Sequence, residues 1–156
     1  MQGTNVYLTF DGNCRQAMEF YAKCLGGDVH IMSFGDMPAP EGARGLPPGS
    51  ENRVMHSRLS NTPAVIMGSD TMPGMPFQQG TNFSINIACE SVEEAERLFK
   101  AFSEKGKITM PIAETFWAER FGMLVDQFGV PWMFNFEKAN LEMPHAKSGT
   151  KEPVHA

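Results

Sequence analysis

Apolar and polar residues alternate over 5–10, with Val6, Leu8 and Phe10 on one side of an extended segment. That period of two predicts a half-buried strand. Asp11-Gly12-Asn13 reads as a turn, with Asn13 placed to cap a helix. The period then changes. In CRQAMEFYAKCLGG, Ala17, Phe20, Tyr21 and Cys24 recur at i, i+3, i+4 and i+7, which makes one apolar helical stripe. Gly26-Gly27 stops it. A second strand is predicted over 30–34. The next stretch, DMPAPEGARGLPPGSEN over 36–52, has no period and is rich in Pro and Gly, as expected of a long loop. Strands follow over 53–59 and 64–69, joined at Ser60-Asn61-Thr62-Pro63, and 70–80 is another Pro/Gly/Met loop.

The same order then recurs. Residues 82–89 alternate through Phe83, Ile85 and Ile87, and Ser91 opens a helix with the capping-box pattern SVEE. Val92, Ala95, Leu98, Phe99 and Phe102 give its apolar stripe, and Gly106 ends it. Strands are predicted over 108–112, 121–126 and 132–136, the last two separated by a turn at Gln127-Phe128-Gly129. The chain therefore reads as βαβββ twice, an internal repeat of about half its length. The predicted class is α+β, a single domain over 1–138 with modules at about 1–78 and 79–138, and a polar tail over 139–156 expected to be partly disordered. Each sheet would have one face under its own helix. Pairing the halves would bury the other faces and leave a groove between them.

Composition narrows the function classes. The chain of 156 residues can bury a core without disulfides or a structural metal. Its net charge of −5 argues against a nucleic-acid partner, which needs clustered Lys and Arg. No apolar run reaches the ~20 residues of a membrane span, and MQGTNVYLTF does not resemble a signal peptide. Cys14, Cys24 and Cys89 are odd in number and lack short spacing, which fits reduced thiols in the cytoplasm and neither a disulfide framework nor a zinc site. The 12 methionines suit a gap-filled core or an adaptable apolar pocket.

Several stretches carry a family likeness: YLTFDGNCRQAMEFYAKCLGG, MHSRL, VIMGSD, and NFSINIACESVEEAERLFKAFSEKGKITMPIAETFWAERFGMLVDQFGVPWMFN. The most specific pieces are FDGN and TFWAERFG…DQFGVPW. Over roughly 5–135 the chain resembles the PhnB-like branch of the vicinal oxygen chelate superfamily, which includes glyoxalase I, bleomycin-resistance proteins and extradiol dioxygenases. The resemblance implies two βαβββ modules forming a cupped mixed sheet, often in a homodimer. In metal-using members, His and Glu or similar ligands from four strands hold an ion in the cup. Carried across one at a time, those positions fall near Asn5, on Met67 (Gly68 if the register slips by one), near Ser84, and on Met133. None supplies an imidazole or carboxylate, so no metal ligand and no cofactor is predicted. Some PhnB-like chains are described as demethylubiquinone methyltransferases. The chain has no Gly-rich turn after its first strand of the kind that seats S-adenosylmethionine on a parallel sheet.

Candidate chemistry is sparse. His56 lies mid-strand, and alternation places it with Val54 and Arg58 on one face; there it could act as a general base, or it is a satisfied core or surface histidine. Trp117, Arg120 and Phe121 could grip a flat or anionic ligand, or simply pack. Met67, Ser84 and Met133 would floor the cavity, completing a ligand-binding set with those three. Glu114 and Glu119 read as surface groups and Asp126 as a turn residue. Cys14, at a helix start, could be a stabilised thiolate, which burial would oppose. The expected function is binding of a small hydrophobic or aromatic molecule in a metal-free cavity. The alternative is a glyoxalase- or dioxygenase-type enzyme using a divalent metal through unconventional ligands, or His56 as base. A weaker third possibility is a dimerisation module without a ligand.

Overall fold

A computed structural model describes residues 4–38 and 45–139. The expectations for the middle of the 36–52 loop and for the tail from 140 lie outside them. The order is β1 (Val6–Phe10), α1 (Cys14–Leu25), β2 (Asp28–Ser33), a 3-10 turn (Phe34–Asp36), β3 (Val54–Ser60), β4 (Ile66–Asp70), β5 (Ile85–Ala88), α2 (Val92–Phe102), β6 (Lys107–Ala113), β7 (Ala118–Val125) and β8 (Pro131–Glu137). The predicted βαβββ repeat is present, in two four-stranded mixed sheets ordered β1-β4-β3-β2 and β5-β8-β7-β6. In each, the first strand runs parallel to the last and the other pairings are antiparallel. The outer edges are β2 and β6. The latter carries Pro111 and two register shifts against β7.

Strand bounds differ from expectation by one to three residues, most at two strand starts. Strand β5 begins at Ile85, leaving Phe83 before it and 41% exposed. Strand β7 begins at Ala118, three residues early, because Ala118 already pairs with Glu137 of β8.

Period fixes which face each strand buries. Leu8 and Phe10 of β1, Leu59 of β3 and Ile66 of β4 lie under Cys14, Ala17, Met18 and Tyr21 of α1. Leu124 of β7 and Trp132 and Phe134 of β8 lie under Ala95, Leu98, Phe99 and Phe102 of α2. These residues form one core. Phe20 meets Phe102 edge-on with ring centroids 5.5 Å apart, and Tyr21 meets Trp132 at 5.2 Å. The Tyr21 hydroxyl crosses between modules to donate to Asp126 Oδ2 at 2.7 Å. The modules thus join through their helix-covered sides.

This corrects the expected packing. The second faces of the sheets are not buried against one another: they lie on the side away from the shared core, and Tyr7 and Met32 there remain 49% and 48% exposed. A second correction concerns Val54. It is fully buried on the helix side with Ser57 and Leu59, while His56 and Arg58 take the open side. A register shift opposite Met55, between Met32 and Ser33, breaks the strict alternation.

The helix starts also differ in kind. Ser91 caps α2 as predicted, its hydroxyl accepting from the Glu94 amide at 3.1 Å. Glu94 accepts in turn from the Glu90 amide. Asn13 makes no capping bond. Asp70, paired with Phe10 at the sheet end, takes the role: Oδ1 accepts from the Gly12 and Cys14 amides at 2.8 and 3.0 Å, and Oδ2 from the Val54 amide at 2.8 Å. Only the fold brings it there.

Candidate functional site

The open side of the first sheet is built by strand register. His30, Arg58, Met67 and Tyr7 are cross-strand neighbours in one row across β2, β3, β4 and β1. In the next row Met32 pairs with His56, and Ser69 with Thr9. His56 Nδ1 lies 3.4 Å from the Tyr7 hydroxyl and the two rings stack at 5.9 Å. The Arg58 guanidinium reaches across to Met67 Sδ at 3.5 Å. Asp28, at the outer corner, accepts from Asn61 Nδ2 at 2.6 Å.

The open side of the second sheet is mostly apolar. Met133 pairs with Met123 and Asn86, and Phe121 with Asn135 and Ala113. Trp117, just before β7, packs edge-on against Phe121 at 5.3 Å and against Phe116 at 4.7 Å. Phe116 is 81% exposed. Asn135 Nδ2 donates to Glu137, and its buried Oδ1 has no partner among the described residues.

Of the sequence candidates, His56 and Met67 therefore share one open face, and Met133, Phe121 and Trp117 belong to the other. Arg120 does not join Trp117 and Phe121: its partner across the sheet is Phe136, and its Nε donates to Glu96 of α2 at 2.7 Å. Ser84, just outside β5, lines a half-open groove of ≈ 480 Å³ with Phe83, Met123 and Pro131. A neighbouring groove of ≈ 430 Å³ runs along β1 against 76–80, and the two share Gln79, Gly80 and Phe83. A third, of ≈ 310 Å³, lies between the β4 entrance and β5.

The remaining groups are structural. Asp126 is buried and accepts four bonds: from the Phe128 and Val130 amides, Tyr21 and Trp132 Nε1. It is the expected turn residue, and an anchor between modules as well. Glu114 is exposed, and Lys138, donating at 2.6 Å, holds its carboxyl below the usual range. Burial pushes the Cys14 thiol up to about 11, against the helix-start effect, and its sulfur sits 3.4 Å from Ser57 Oγ. Burial also pushes Cys89 up to about 11.

A divalent ion does not fit the positions that metal-using relatives would lend. Thioethers at Met67 and Met133 are poor donors to a hard cation, and the Arg58 charge beside Met67 would repel one. Among the described residues no three His, Cys, Asp or Glu side chains converge.

Sequence reasoning missed Tyr7, Gln79 and Asn135. Tyr7 was legible as the polar-side residue of the first strand. Gln79, which donates to the Phe128 carbonyl at 3.1 Å and covers Gly129, had no local signal.

Comparison with known proteins agrees with this architecture. The family model described as 3-demethylubiquinone-9 3-methyltransferase matches residues 2–134. Protein YjdN of Escherichia coli (strain K12) is 39% identical over 139 residues, covering 85% of this chain and 93% of its own. The crystal structure of protein PA1353 from Pseudomonas aeruginosa is 39% identical, with a TM-score of 0.78 over 89% of this chain and all of that one (100%). A PhnB protein from Bacillus cereus is 27% identical, with a TM-score of 0.67 over 86% and 99%. At 15% identity, a glyoxylase/bleomycin resistance protein/dioxygenase domain from Frankia shares the fold alone, at a TM-score of 0.57 over 88% and 99%. Fold does not carry activity with it, and the methyl transfer in the family's description is a property of the description. With matching repeat, matching topology and a family model spanning most of its length, the chain belongs to the 3-demethylubiquinone-9 3-methyltransferase (PhnB) family, on a glyoxalase/bleomycin-resistance-like fold.

Proposed function

We propose that this chain binds a small hydrophobic or aromatic molecule without a metal ion, on the open sheet faces, and that a second copy covers those faces in a homodimer. The observation that carries the reading is the pairing of exposure with donor chemistry. Both faces lie open, and at Met67 and Met133 they present thioethers, alongside rings at Tyr7, Phe121 and Trp117. Met side chains adapt to varied apolar shapes, and apolar sites with a few polar anchors are the common form of ligand pocket. Free thiols at Cys14, Cys24 and Cys89 support a cytoplasmic setting.

Native mass spectrometry of the freshly purified full chain tests the reading. The expected spectrum shows a dimer with an organic adduct and no stoichiometric metal. One bound zinc, nickel, manganese or iron per site would sink it. That result would favour instead the enzyme reading, with the ion held by unconventional ligands and the Tyr7–His56 pair as its acid–base group.

A further inference from the structure

The two open faces differ in charge. On the first sheet, Arg58 is flanked in its row by His30, and His56 lies one row along. The described ion pairs use Arg53, Arg97, Arg120 and Lys138, and Arg58 is in none of them. Among the described residues the one polar contact of its side chain is the Met67 sulfur, a weak acceptor, which leaves its other N–H donors available. Asp28, a carboxylate on that face, stands at the outer corner and is engaged by Asn61, and Asp11 beyond the end of β1 is engaged by Arg53. On the second sheet the open face is apolar at Met123 and Met133 and carries charges of both signs, Glu137 beside Asn135 and Lys107 opposite Val125. The Arg58 guanidinium therefore attracts an anion to the first face, while the second presents charges of both signs. The chain as a whole carries −5 and repels anions, so a preference for them has to be local.

We infer that the molecule bound is an aromatic or apolar organic oxyanion. Arg58 holds its charged group, with His30 and His56 beside it, and its body lies on the thioethers and ring of Met32, Met67 and Tyr7. A guanidinium offers two parallel donors to a carboxylate-like group, and the methionines flanking it supply the apolar bed. This deepens the proposed small-molecule function and rests on it.

Calorimetric titration of the full chain with 2-naphthoate, 2-naphthylmethanol and 2-naphthylmethylamine, at one ionic strength, tests it. Naphthoate is expected to bind at least about tenfold more tightly than the alcohol, with the amine weakest. Arg58→Gln should bring naphthoate down to the level of the alcohol and leave the alcohol unchanged. Arg58→Lys should keep part of the preference. Arg97→Gln, an arginine of α2 paired with Glu94, should change none of the three and so controls for overall charge. Arg58 is exposed, and matching circular dichroism spectra will establish that its variants fold. If the alcohol or the amine binds as well as naphthoate, the anion inference fails while the small-molecule site stands. If none of the three binds, both fail together.

Discussion

Individual side chains in this protein owe their chemistry to depth. Cys14 sits at the start of α1, where a helix dipole favours a thiolate, yet it is fully buried and its thiol is pushed up to about 11. Cys89 reaches about 11 for the same reason. In the unfolded chain both titrate near 9.0. The fold thus keeps protons that the unfolded chain releases, and alkali favours unfolding. The stability these groups contribute is intact below pH 9.0 and declines as pH rises towards about 11. Urea midpoints measured across that window should fall, and the Cys14→Ala, Cys89→Ala double variant should fall less steeply. A midpoint flat to the upper end of the window would contradict the burial argument.

At the scale of elements, the two helix starts offer a controlled comparison. Ser91 caps α2 from its own sequence position, so Ser91→Ala should cost about 1 kcal/mol. Asn13 makes no capping bond, and Asn13→Ala should stay within about 0.5 kcal/mol. Asp70→Ala strands the amides of Gly12, Cys14 and Val54 and should cost roughly 3 kcal/mol or more. Urea denaturation of the three variants checks the order. The comparison also separates what was legible beforehand from what was not. The stripes of α1 and α2, the SVEE cap and the alternation of β1 were local patterns and could be read directly. The Asp70 cap joins residues 56 and 58 positions apart, and only strand pairing creates it. The displacement of Val54 to the helix side depended on a bulge opposite Met55 that no residue type announces. Arg120 was grouped with Trp117 and Phe121 by nearness in sequence, but its partner is Glu96, on a helix the grouping did not consider.

The molecule as a whole is held together by a carboxylate that belongs to neither helix. Asp126 receives Tyr21 from the first module and Trp132 from the second on the same oxygen. Tyr21→Phe removes one of its four donors and should lower unfolding free energy by about 2 kcal/mol, since bonds to charged groups are worth more than neutral ones. Fluorescence of Trp117 and Trp132 and far-ultraviolet circular dichroism should still report one coincident transition, because both modules share one core. Separate transitions would mean that the modules unfold independently. The repeat was visible in the sequence, but the side on which its copies join was not. A period gives the buried face of each strand and leaves open what lies beyond the other.

Pro111, in the middle of the outermost strand of the second sheet, has a consequence for life at high concentration. A rim strand whose backbone donors were all free would accept a neighbour's strand and template stacked growth. Pro111 removes one backbone donor from this strand, and the two register shifts between Ile108 and Ala113 interrupt its regular pairing. Ile108 and Met110 can therefore stay 47% and 37% exposed on the rim without offering a regular, fully hydrogen-bonding template for fibre formation.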